Sequence, residues 1–295
     1  MKSDIKIVKL KGGLGNQMFQ YAFAKLLKKR TGGEVLLDYS AYNALKKDIV
    51  RVPRIEKFAL TLPSAGADEL KRICKIRHTG NSQSFMYKVG IFLEGKINPH
   101  YFIEPNRAYI NPSDIIGKSY FDGYWQSWRY VEEVREELLA EYVPSSPISD
   151  KTTETKNIIE CENSVFVGVR RGDYLKSSAH YGAFDSSYYE RAMKYIDERI
   201  ENPVYHVFSN DVEWCEKNIN WGEHTVKFRK PELQVNDFEE LMLMSSCKHA
   251  IIVNSTYNWW GAYMIKNPDK IVVAPERWFF DNSPIDIVPP DWIKI

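Results

Sequence analysis

The chain has 295 residues, with 40 Lys and Arg against 39 Asp and Glu, a net charge of +1 and 44% hydrophobic residues. That balance is the balance of a soluble globular protein and excludes a general binder of nucleic acid, so any anion site has to be local. The length exceeds what one core comfortably fills, about 250 residues, and points to two domains.

The opening MKSDIKIVKLKGG has too short an apolar run for a secretory signal. No stretch of about eighteen apolar residues follows that could span a bilayer, so a cytoplasmic protein is expected. Cys74, Cys161, Cys215 and Cys247 are far apart and form no C-x-x-C pair, the pattern of buried thiols rather than of zinc ligands or a disulfide frame.

IKIVKL reads as a strand, KGGLGNQ as a glycine-rich turn, and MFQYAFAKLLKKR as a helix with Phe19, Ala22, Phe23, Leu26 and Leu27 at helical spacing. Thr31-Gly32-Gly33 stops that helix and EVLLD supplies a second strand, the β-α-β opening of a doubly wound sheet. Residues 40 to 115 mix basic, Pro-containing and aromatic segments with helical patches such as ADELKRICKI, and yield no definite topology. In EYVPSSPISDKTTETK, residues 141 to 156, the periodicity stops while Pro, Ser and Thr gather, as in an interdomain linker. The two domains are accordingly placed at 1–150 and 151–295.

Beyond the linker the alternation is regular: VFVGV, VYHVFS, TVKF, AIIVN and KIVVAP as strands, with SYYERAMKYIDERI, DVEWCEKNI, DFEELMLMSSC and STYNWWGAYMI as the helices between them. This predicts a parallel sheet covered on both faces. Ligands of such sheets bind beyond the carboxyl ends of the strands, and GGLGNQ, RRGDY, SND and NSTYN all fall at those ends.

In GGLGNQ, Gly12, Gly13 and Gly15 let backbone approach a ligand closely. A dinucleotide fingerprint would need a further glycine where Met18 stands, but Asp38 occupies the place of a ribose-binding acid, which keeps an NAD(P)-dependent oxidoreductase as an alternative. Arg170 and Arg171 close the strand VFVGV with planar forks suited to a diphosphate, while Asp173 could neutralise one of them. Asn254, Ser255 and Thr256 would cap a helix whose free N–H groups face the same crevice. The sequence holds no Asp-x-Asp and no H-x-x-x-H pair, so no metal is expected, and the charge of a departing diphosphate would fall to arginines.

Five blocks in order, GGLGNQMFQYA, GYWQS at 123–127, VRRGDY, FSND at 208–211 and LMSSCKHAIIVNSTYNWWGAY, resemble the bacterial α-1,2-fucosyltransferases of glycosyltransferase family 11, over residues 8 to about 275. The resemblance implies an α/β fold of GT-B type, with two Rossmann-like lobes facing across a cleft, the donor in the C-terminal lobe and the acceptor mainly on the N-terminal one. It implies GDP-fucose as donor, transfer to the 2-hydroxyl of a terminal galactose with inversion, and no cofactor or metal. Arg170 matches the residue that grips the diphosphate, with Arg171 helping to hold the donor or its loop. Glu240, with Asp237 as fallback, matches a guanine contact. Asn254, Ser255 and Thr256 match the phosphate-contacting segment, Asp211 lies in the donor-side FSND block, and Gly13, Gly15, Asn16 and Gln17 form the loop that reaches donor sugar and acceptor.

Two positions depart from the family pattern: Gly168 stands where a histidine is usual, and Asn210 where an aspartate is common. Asp173, His180 and Asp185 are the base candidates by location, Asp173 being preferred, with Asn16 as a residue that only orients the hydroxyl. Gly168 also leaves open a nucleotide-sugar-binding protein without turnover. The acceptor could be carried on a lipid, with the enzyme peripheral at the inner face of the membrane.

Overall fold

The computed structural model describes residues 5–42, 53–74, 85–172, 182–229 and 236–295. It comprises two compact units, Met1–Ser145 with Pro284–Ile287, and Ser146–Ser283 with Val288–Ile295.

The first unit runs β1 (Lys6–Lys9), α1 (Leu14–Thr31), β2 (Val35–Asp38), α2 (Ala67–Ile73), α3 (Phe85–Ile97), β3 (Tyr101–Ile103), α4 (Pro112–Ile115), β4 (Tyr120–Asp122), α5 (Trp128–Glu132) and α6 (Arg135–Glu141). Its parallel sheet has the order β2-β1-β4-β3. Because β1 is flanked by β2 and β4, the chain leaves it toward one side and later returns on the other. This reversal opens a crevice at the carboxyl ends of β1 and β4. Helix α1 stops where Gly32 turns left-handed at φ 64°, a conformation that costs a residue without Cβ little. Phe23 of α1 stacks on Trp125 at 3.9 Å and meets Phe121 and Tyr130 edge-on, which seats the helix against the loop after β4.

The second unit runs α7 (Asp150–Cys161), β5 (Ser164–Val169), α8 (Ser186–Asp197), β6 (Val204–Ser209), α9 (Val212–Asn218), β7 (Thr225–Phe228), α10 (Asp237–Ser246), β8 (His249–Ile251), α11 (Thr256–Tyr263), β9 (Val272–Ala274) and β10 (Ile293–Lys294). The strands are parallel in the order β10-β9-β8-β5-β6-β7. Val165, Val167 and Val169 of β5 share a core with Tyr188, Tyr189, Ala192 and Ile196 of α8. By the alternation of a strand, Phe166, Gly168 and Arg170 then face the other way. That other face is covered by α11, whose Gly261 lies against Phe166 and Met244.

The stretch expected as a linker is helical from Asp150 onward. Its anchors are polar: Thr152 is fully buried, and both Ser149 and Thr152 bond the carboxylate of Glu239 on α10. A helix held this way shows no hydrophobic period.

Candidate functional site

In the second unit the site begins at the sheet's reversal. The chain passes from β5 outward to β6 and β7, then crosses to β8 on the opposite side of β5, so the carboxyl ends of β5 and β8 border the crevice. Arg170 leaves β5 there, and Asn254, Ser255 and Thr256 follow β8. Ser255 caps α11, its hydroxyl facing the N–H of Asn258, while Asn254 is buried and donates its amide to the carbonyl of Trp278 at 2.9 Å. The cap fixes the first turn of α11, whose N–H groups and dipole favour an anion.

Glu240 lies in the first turn of α10 and Tyr257 in the first turn of α11. The Tyr257 hydroxyl is 3.0 Å from Glu240 Oε2 and also bonds the carbonyl of Asp237. Burial pushes the Glu240 carboxyl up, opposed by the Tyr257 hydroxyl and by the field of Arg170, with Asp237 adding to the rise. Arg170 also acts electrostatically on Tyr257, so a guanidinium exerts its field on a phenol and a largely buried carboxylate at one sheet edge. Such a group offers a charged fork to phosphate oxygens and a carboxylate to a pair of N–H donors.

Arg171 is held differently. Its guanidinium lies 3.7 Å from the centroid of the Trp214 ring and 3.4 Å from Asp211 Oδ2, and its backbone N–H donates to Asn210 Oδ1 at 3.0 Å. Asp211 in turn caps α9 by accepting from the N–H of Trp214. Asn210, the unusual residue, thus supports the turn after Arg170. Gly168, the other departure, has a partner: Asn258, 5% exposed, fills the space in front of it.

Of the base candidates, Asp173 and His180 lie outside the described residues. Asp185 caps α8, accepting from the N–H of Tyr188 and the hydroxyl of Ser187. The Ser187 bond leads in holding its carboxyl below the usual range. This carboxylate is therefore engaged as a helix cap in the structure.

In the first unit the glycine-rich loop and GYWQS close on each other. Gln126 donates to Asn16 Oδ1 at 2.8 Å. Gly12 has φ 86°, and a Cβ there would meet the Asn16 amide at 2.6 Å, whereas a Cβ on Gly13 would meet nothing. Gly15 is buried in the first turn of α1. Gln17 is fully buried, donating to the carbonyl of Gly12 at 3.1 Å and accepting from the N–H of Ile55 at 3.0 Å. Its amide therefore shapes the loop from behind. Asp38 is likewise engaged, by Ser40 and by the Tyr120 hydroxyl, leaving the proposed ribose acid of an oxidoreductase turned inward.

Sequence reasoning missed two carboxylates beside this loop. Asp122, 2% exposed, receives Lys9 at 2.9 Å, Lys11 at 2.5 Å and Tyr101 at 2.9 Å. Glu104 accepts from the N–H groups of Tyr124 and Trp125, and so holds Trp125 at φ 55°. The aspartate preceding GYWQS was the available signal for the first; Glu104 had none. Among the described residues no three His, Cys, Asp or Glu side chains are grouped to hold a metal, and no helix is long and apolar enough to cross a membrane.

The model of Glycosyl transferase family 11 matches residues 97–295. An Escherichia coli alpha-1,2-colitosyltransferase is 29% identical, covering 99% of each chain. The mouse galactoside 2-alpha-L-fucosyltransferase Sec1 is 26% identical over 98% of this chain and 73% of its own. Among solved structures, POFUT1 in complex with GDP aligns at a TM-score of 0.52 with 10% identity, covering 93% of this chain and 99% of that one. That likeness shows the fold, an α/β architecture of GT-B type.

Proposed function

Since the chain belongs to glycosyl transferase family 11 and is a nucleotide-sugar-dependent glycosyltransferase, we propose that it moves L-fucose from GDP-fucose to the 2-hydroxyl of a terminal galactose, with inversion and without a metal ion. Residues 151–295 are assigned to the donor and residues 1–150 mainly to the acceptor. The observation that carries this reading is the meeting of Arg170, Glu240 and the capped start of α11 at the reversal of the second sheet.

As the bond from the anomeric carbon to the diphosphate lengthens, positive charge spreads over the sugar ring and negative charge gathers on the leaving oxygen. A fixed guanidinium and oriented peptide N–H groups take up that charge without rearranging. Arg170 supplies the first, and the amides following Ser255 the second. Glu240 suits the paired N–H donors on the edge of guanine. Arg171, clamped between Trp214 and Asp211, keeps the loop in register and completes the positive edge. Asp173 is the preferred base for the acceptor hydroxyl; the alternative is a strongly dissociative transfer in which Asn16 only orients that hydroxyl. The Sec1 relative supports the galactoside acceptor, and the colitosyltransferase relative makes a colitosyl nucleotide the second donor to offer.

The deciding experiment offers GDP-fucose and a colitosyl nucleotide to the purified protein with galactose-terminated acceptors and excess EDTA, and determines the linkage of the product. An α-1,2-fucosyl galactoside formed at undiminished rate is the expected result. No transfer from GDP-fucose, or a rate that collapses with EDTA, overturns the reading.

A further inference from the structure

Asn258 lies in the first turn of α11, three residues after the cap Ser255, and its backbone N–H donates to the Ser255 hydroxyl. A polar side chain at that position can reach back to the N–H of the cap residue and close a reciprocal pair of bonds, as Glu and Gln do. Here the N–H of Ser255 is given instead to the carbonyl of Val253 at 2.7 Å. The amide of Asn258 is turned to β5, where it lies flat over Gly168: Cγ, Oδ1 and Nδ2 are 2.5, 2.6 and 2.7 Å from the place a Cβ on Gly168 would take. Only a residue without a side chain leaves room for it there, so Gly168 and Asn258 form one arrangement.

The amide is enclosed and idle. Asn258 is 5% exposed, and its Oδ1 is buried without a hydrogen-bond partner among the described residues. Burying an amide oxygen in this way carries a desolvation cost that a purely structural residue recovers through a partner. The surroundings indicate what the group is kept for. It stands in the helix turn whose backbone N–H groups favour an anion, and Gly168 beneath it lies two residues before Arg170 on the same face of β5. What the side chain adds to that edge is a pair of N–H donors without charge. Because the protein does not bond its oxygen, the amide can turn its nitrogen toward a bound anion without breaking a bond made by Oδ1. We propose that Asn258 is a further diphosphate-binding residue, which donates Nδ2–H to a phosphate oxygen of the nucleotide sugar beside Arg170. The assignment rests on the donor reading above and goes beyond it by giving a role to the side chain that occupies the space in front of Gly168.

The test compares the affinity of the full chain for GDP, by calorimetry, with that for guanosine, by ligand-observed NMR, so that the contribution of the phosphates is read apart from that of the base. The wild-type protein is expected to bind GDP far more tightly. Asn258→Leu, similar in shape and without hydrogen bonds, and Asn258→Ser, whose hydroxyl is too short to cross to β5, should each bind GDP about ten- to a hundredfold more weakly with guanosine unchanged. A histidine on β5 would enter the space that Asn258 leaves and bring a ring N–H to the same edge. Gly168→His/Asn258→Ser should therefore regain most of the GDP affinity that Asn258→Ser loses. An amide with only a structural role would lower the melting temperature of the variants and leave the ratio of the two affinities as it was. That unchanged ratio in both single variants overturns the proposal, whether or not the affinities themselves fall together. A wild-type chain that binds GDP no more tightly than guanosine removes the donor reading itself, and this proposal with it.

Discussion

A Cβ added to Gly168 would lie 2.5 Å from Cγ of Asn258 and 2.6 Å from its Oδ1, so an amide from α11 stands where a side chain on β5 would have to go. The Oδ1 atom is buried without a hydrogen-bond partner among the described residues, and Ser255 below it is fixed by its cap. The amide has little room to withdraw. Gly168→Ala should therefore destabilise by about 1–3 kcal/mol, despite the backbone advantage of alanine over glycine of roughly 0.5–1 kcal/mol. Adding Asn258→Ser to the same chain should recover most of the loss. Urea midpoints of the two variants check this; an equal cost with and without the second change would show that the two side chains do not compete for the space.

Adjacent arginines are predicted to separate by function. Arg170 points to the face covered by α10 and α11 and acts on Glu240 and Tyr257, whereas Arg171 is clamped by Trp214 and Asp211. Arg170→Ala should lower turnover by about 10²–10³ with an unchanged melting temperature. Arg171→Ala removes a cation–π contact worth about 1 kcal/mol and a partly exposed ion pair worth less. It should reduce stability measurably while lowering turnover much less. Steady-state kinetics and thermal melts on both variants settle the division, and equal losses of turnover with equal losses of stability would contradict it.

The second sheet was legible because its strands VFVGV and VYHVFS are long, β-branched runs separated by amphipathic helices, so period and length agree. In the first unit β3 and β4 have three residues each, too few for alternation to register. Helix α7 hides because Thr152 and Glu239, rather than leucines, hold it. Arg170 and the Asn254–Thr256 segment could be placed at strand ends from sequence, since strand ends follow from the alternation. Asn258, Glu104 and Asp122 could not be read in the same way. Their roles depend on partners distant in sequence, Gly168 for the first, Trp125 for the second and Lys9 with Lys11 for the third.

His206, fully buried on β6, has Arg229 at 2.9 Å from Nδ1 and Glu162 at 2.8 Å from Nε2. Arg229 can only donate, so Nδ1 accepts and Nε2–H donates to the carboxylate, a pattern that the neutral ring alone satisfies. Burial, aided by Arg229 and opposed by Glu162, lowers the imidazole to about 4. An unfolded histidine takes a proton near 6.5. Between these values the unfolded state binds more protons, so stability should fall as pH drops from about 6.5 toward 4, by about 3 kcal/mol in all. His206→Gln keeps hydrogen-bonding groups but cannot titrate, and should flatten that part of the profile. Urea midpoints at a series of pH values decide it: an unchanged slope in the variant would mean that another group carries the dependence.

Lys9 and Asp122 form a buried ion pair, 1% and 2% exposed and 2.9 Å apart, with Lys11 on the second carboxylate oxygen. Burial by itself would raise the Asp122 carboxyl, but the two ammonium groups outweigh it and hold it well below the usual carboxylate range. The folded state thus releases this proton more readily than the unfolded one, whose aspartate titrates near 3.9. The resulting stability is present at neutral pH and is lost as pH falls below about 4 toward the folded value. Asp122→Asn leaves Lys9 buried beside a neutral amide, and breaking a buried pair from one side costs about 3–5 kcal/mol. At pH 7 the variant should show faster hydrogen exchange at the amides of β1 and β4, which this pair joins across the sheet, and the difference from wild type should narrow as the acid range is entered. Exchange rates that stay equal at pH 7 would mean that hydrogen bonding in the first sheet, rather than the ion pair, holds these strands together.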